Sequence, residues 1–168
     1  VVLKNVQRWI ALGALLVIVV PFLAAMPIGA LTETVKGVGT HLGGFDVFRH
    51  NLTLGLVMVV SGWLTFGIAP IGIGAVGSIS TGYAVGAYVH GLGWQQTFAL
   101  LPHMFPEMLS FILFAFVGMQ SAAIGTSFAL QKTPLRITNS YVLTVNAALF
   151  GAVLLVCAAG LLEATVLI

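Results

Sequence analysis

Apolar residues along this chain come in five long runs, at about 9–31, 51–69, 71–90, 106–130 and 137–163. A helix needs roughly 20 mainly apolar residues to cross the hydrocarbon core of a bilayer, and each run meets or approaches that length. The runs are continuous and lack the apolar/polar alternation of an outer-membrane barrel strand. The pattern predicts an all-α, polytopic membrane helix bundle of about five transmembrane helices, one domain over residues 1–168. The opening VVLKNVQRWIALGALLVIVVPFLAAM has the positive start of a signal peptide. Its apolar stretch from Trp9 to Ala30 outruns the roughly 7–15 residues of a signal core, so it reads as the first membrane helix.

The connections differ in character. Residues 32–50, TETVKGVGTHLGGFDVFRH, form the longest polar segment, with Glu33, Lys36, His41, Asp46, Arg49 and His50. The stretch APIG at 69–72 leaves room only for a tight turn, and Pro70 ends the second run. Residues 91–105 hold no Asp, Glu, Lys or Arg but carry Trp94, Gln95, Gln96 and His103. QKTPLR at 131–136 is short and basic. Lys and Arg in short loops favour the cytoplasmic side. With five crossings, Lys4, Arg8, Lys132 and Arg136 share one side against Lys36 and Arg49, which puts the N-terminus in the cytoplasm. If the third run instead entered and left on one side, QKTPLR would move outside, so the charge rule favours five crossings.

Composition agrees with this picture. Hydrophobic residues make up 60% of the chain and charged residues 6%, against about 25% charged in a typical soluble domain. The sequence pI of about 9.0 arises from six basic residues against four acidic ones. It reports loop charge and not a nucleic-acid surface. The single Cys157 lies in an apolar run and excludes a disulfide within the chain.

The third run is rich in small residues. Gly74, Ser78, Gly82 and Gly86 recur every four positions, as do Ala115, Gly118, Ala122 and Gly125 at intervals of three or four, while Gly55 and Gly62 stand seven apart. Ridges of small residues let helix backbones approach closely in lipid, where packing replaces the hydrophobic drive. The expectation is a tight bundle of the second, third and fourth helices. The competing expectation is a re-entrant third segment lining a cavity, with Thr81 and Tyr83 as its polar lining.

Polar groups at membrane depth are few. Asn146 is the deepest strong hydrogen-bonder, and it is expected to tie helices together, as are Gln120 and Ser121. The remaining cluster is LPHMFPEM at 101–108. Pro106 is expected at the first helical position, with Glu107 in the first turn, where the helix dipole favours an anion. Pro102 and Pro106 are expected to push Leu101 and Phe105 out of the helical region. His103 then precedes the helix and is expected to pair with Glu107, or both with residues of the 32–50 loop. Such a pair would hold a cation, a headgroup or a partner residue. No HExxH spacing, nucleophile elbow or phosphate-binding loop is present, so no catalytic residue, metal site or cofactor is expected.

The succession of FRHNLTLGLVMVVSGWLTFG, a glycine-rich third segment and LLPHMFPEMLSFILFAFVGMQSAAIG resembles the stage II sporulation protein M family of membrane proteins, over roughly 45–165. Asn51 matches the Asn-bearing start of a helix in that family. Pro102, His103 and Glu107 match its Pro-His-Gly-x-x-Glu-like motif, and Gly118 and Gly125 match the small residues that follow. Met104 stands where the family has Gly, Pro106 where it has an aliphatic or aromatic residue, and SISTG where an Asn-Gly is common. The resemblance implies a non-enzymatic integral membrane subunit or scaffold of a larger complex in a prokaryotic cytoplasmic membrane. Its partners would be other membrane subunits, further copies of itself, or lipids, and not nucleic acid. Other members look like permease components beside ATP-binding subunits, so part of an ATP-dependent export system is the alternative. Binding of a lipid headgroup by Trp94, Gln95, Gln96, His103 and Glu107 is the third expectation.

Overall fold

The computed structural model describes residues 2–31, 44–131 and 138–166. Among them, the elements are α1 (Val2–Ala30), α2 (Gly44–Leu64), α3 (Ile68–Leu92), α4 (Trp94–Leu100), α5 (Met104–Gly118), α6 (Gln120–Gln131) and α7 (Asn139–Val166), with no strand. Five stretches are long and apolar enough to cross a membrane: Asn5–Ala30, Gly44–Leu64, Ile68–Leu92, Met104–Thr126 and Asn139–Thr165. The chain is therefore an all-α polytopic bundle of five membrane-length helices. The segments with Glu33, Lys36 and His41, and with Lys132 and Arg136, lie outside the described residues.

Several boundaries move. α2 begins at Gly44 rather than near Asn51, so Asp46 and Arg49 belong to its first turns. It ends at Leu64, and the turn falls on Thr65–Gly67 instead of on APIG. Phe66 and Gly67 both have positive φ, 51° and 83°, the left-handed conformation that glycine adopts without steric cost. The Thr65 hydroxyl accepts the Ala69 N–H at 2.9 Å, so it satisfies one of the free donors opening α3. Pro70 sits inside the first turn of α3, where its missing N–H breaks no helical bond. The third run is one continuous helix of 25 residues, not a broken or re-entrant segment. The region after it is also helical, as the short α4, and Trp94, Phe98 and Phe105 stack in series with ring centroids 5.5 Å apart.

The small-residue ridge of α3 packs, but against a different neighbour from the one expected. A Cβ on Gly82 or Gly86 would collide with the carbonyl oxygens of Phe22 or Met26 on α1, and one on Gly74 would press on Ile18. α1 on α3 is the most extensive helix pair of the bundle. The second and fourth spans do meet as expected: Gly62 lies against the backbone of Gly118, and Gly55 against the ring of Phe114. Ala122 reaches Gly67, whereas Gly125 has only the Phe66 ring nearby.

The fourth span breaks at Met119, between α5 and α6. There the Gln120 side-chain amide donates to the Phe116 carbonyl at 2.9 Å. Its oxygen accepts from the Tyr141 hydroxyl of α7 at 3.0 Å. Ser121 donates to the Gly62 carbonyl of α2 at 2.8 Å. Gln120 and Ser121 are thus the helix ties expected of them. The fourth span is also the most enclosed, with 56% of its apolar window buried against 17–28% for the others. It carries the core, in which Phe114 and Ala115 pack with Met58 of α2 and Ala152 and Val156 of α7.

Candidate functional site: a polar corner at one end of the bundle

LPHMFPEM turns the chain from α4 into the central span. Leu101 leaves the helical region at φ −120° and ψ 49°, as a residue before proline should. Pro102 lies in the turn that follows, which closes with the Met104 N–H on the Leu101 carbonyl at 3.2 Å. His103 precedes the first helical residue, Met104. The helix starts two residues earlier than expected, so Pro106 falls in the third position and Phe105 is helical. Both are tolerated because the first helical N–H groups have no intrahelical acceptor. Glu107 remains in the first turn, and its N–H bonds the His103 carbonyl at 3.1 Å.

The partner of His103 is not Glu107. Its Nδ1 lies 2.5 Å from Oε2 of Glu163, near the end of α7, and neither atom meets hydrogen-bonding geometry with any partner. Each of the two side chains keeps 16% of its surface open. Glu107 instead faces the side-chain amide of Asn51 on α2 and lies within electrostatic reach of Glu163. Asn51 is 2% exposed, and its Nδ2 has no partner at full hydrogen-bonding geometry. The corner therefore gathers one polar group from α2, one from α5, one from α7 and one from the turn before α5.

Three of the four residues singled out from the sequence, Asn51, His103 and Glu107, converge here, and Pro102 shapes the approach without joining the polar contacts. Glu163 was missed. Parity could have found it: with five crossings, the start of the fourth span and the end of the fifth lie on the same membrane side. Asn146, expected to tie helices, does not do so within the chain; it lies on the exposed face of α7. Thr81 donates to the Gly77 carbonyl of its own helix at 3.0 Å.

Chemically, the corner is a meeting of polar side chains from three helices with a carboxylate-rich, partly open rim. A histidine on a carboxylate is a hydrogen bond with neutral imidazole and an ion pair with imidazolium. Among the described residues, no three His, Cys, Asp or Glu side chains come together as metal ligands. No family model, curated protein or solved structure matches this chain.

Proposed function

We propose that the chain is a non-enzymatic, membrane-embedded subunit of a larger complex, a scaffold like those its resemblance to the stage II sporulation protein M family implies. It would sit in a prokaryotic cytoplasmic membrane with the start of α1 in the cytoplasm. The observation that carries this reading is the polar corner. Its side chains clasp α2, α5 and α7 at one end of the bundle, with His103 and Glu163 still partly open. Such an arrangement favours a docking point over a path through the membrane. The close approach of α1 to α3 and of α2 to α5 at glycines supports it, because backbones in contact leave no passage between those helices.

The test is affinity purification from native membranes in mild detergent. A stoichiometric membrane partner or a homo-oligomer should be retained. A chain that purifies only as a monomer, and that moves solute alone in liposomes, would overturn the reading.

A further inference from the structure

The α7 side chain at residue 146 is out of place for a lipid-facing surface. Asn146 is exposed and makes no hydrogen bond. The α7 span of 27 residues is about 40 Å long at 1.5 Å per residue, so it exceeds the roughly 30 Å hydrocarbon core. Asn146 lies about 10 Å along the axis from Asn139. With the excess shared between both ends, it sits about 5 Å below the hydrocarbon boundary. Other polar residues of this part of α7 are spent locally: Thr144 donates to the Ser140 carbonyl, and Tyr141 to Gln120. A bare carboxamide in hydrocarbon is unfavourable until it finds a hydrogen-bonding partner.

Two features say what that partner is. A primary amide both donates and accepts, so two of them close a pair of hydrogen bonds with each other. Two copies of one membrane chain share topology and depth, so their Asn146 amides meet at the same level across a two-fold axis normal to the membrane. Spacing supplies the second feature. Leu143, Asn146 and Phe150 recur at intervals of three and four, and Leu154 is exposed four residues further on. Leu143 is 70% exposed and Phe150 65%, while Ala152 and Val156 face the core. Over one heptad that is the spacing of a left-handed helix-pair seam, in which an Asn at a seam position fixes register and a low oligomer state.

We infer that α7 is a self-association surface, and that two copies of this chain pair through it with Asn146 against Asn146. The inference rests on the assembly reading above and names a partner for it: a second copy.

The experiment uses the full chain reconstituted in lipid vesicles, with energy transfer between labelled copies followed as protein is diluted in lipid. The native chain should dimerise. Asn146→Leu should weaken the dimer by about tenfold, and Asn146→Gln, which keeps the amide, should restore most of it. In a Cys157→Ala background, Phe150→Cys should cross-link between copies under oxidation, and Ile79→Cys on the exposed face of α3 should not. If the native chain associates but Asn146→Leu associates equally well, the pairing falls and the assembly reading stands. A chain that stays monomeric at every dilution overturns the pairing even if native membranes yield a different partner, and with no partner recovered the assembly reading falls too.

Discussion

His103 and Glu163 are 60 residues apart in the chain and meet because the turn before α5 and the end of α7 reach the same end of the bundle. If the contact holds these elements together, removing one partner leaves the other as a lone polar group at a largely buried position. Glu163→Leu is expected to lower stability by about 1 kcal/mol, near the usual worth of a single polar contact. His103→Ala should cost less in that background than in the native chain, with a coupling of at least about 0.5 kcal/mol. Denaturant unfolding in mild detergent measures both, and strictly additive losses would show that the contact carries no energy. The same logic applies to Tyr141→Phe, which removes the hydroxyl donor to Gln120. It should cost about 0.6 kcal/mol, and no more than about 1.7, the range for hydrogen bonds between membrane helices. At this scale the residue types were legible before the partners were. Pro102, His103 and Glu107 stand out in an almost uncharged chain, but spacing along the chain favoured the nearest carboxylate, and the choice between Glu107 and Glu163 is made by tertiary geometry. Asn146 shows the converse. Its polarity at depth signalled a helix contact, yet one sequence cannot say whether the contact lies within the chain or beyond it.

Helix pairs in this bundle are set by where glycines remove bulk. A Cβ at Gly82 would overlap the Phe22 carbonyl oxygen, which belongs to the backbone of α1 and can yield only if the helices part. Gly82→Val is therefore expected to cost about 1–3 kcal/mol or more through overpacking. Gly77, on the same helix, has open space around it. Gly77→Ala should be neutral or stabilising by up to about 1 kcal/mol, the helix-propensity difference between the two residues. Thermal unfolding of the two variants side by side separates packing from propensity, and equal losses would mean that the α1–α3 contact is not what the ridge is for. The existence of the helices and of the ridge was readable from run length and four-residue spacing. The neighbour of the ridge was not, because α1 shows no matching glycine ridge. It offers carbonyl oxygens at Phe22 and Met26 instead, and a backbone has no sequence signature. Helix ends were displaced for a related reason: Pro70 and Pro106 were read as boundaries, yet proline fits anywhere in a first turn.

Across the whole molecule, five crossings fix which surfaces face the same compartment. The start of α1, the α2–α3 turn and the start of α7 lie at one end. The start of α2, α4, the turn at His103 and the end of α7 lie at the other, together with Asn51, Glu107 and Glu163. If the basic residues Lys4, Arg8, Lys132 and Arg136 hold their end in the cytoplasm, the polar corner faces outward, and whatever docks on it approaches from outside the cell. Single cysteines in a Cys157→Ala background test this without disturbing the basic residues. Asp46→Cys and Trp94→Cys, both exposed, should react with a membrane-impermeant maleimide on intact cells. Asn5→Cys and Asn139→Cys, also exposed, should react only after permeabilisation. Reaction of all four from outside would contradict the five-span topology. The reverse pattern would keep that topology and turn the chain over, placing the corner in the cytoplasm, where a cytoplasmic subunit could reach it. Since the same parity puts Asn146 nearer the end of α7 opposite Glu163, self-pairing at Asn146 and docking at His103 and Glu163 would occupy opposite ends of the bundle. One copy could then engage both at once.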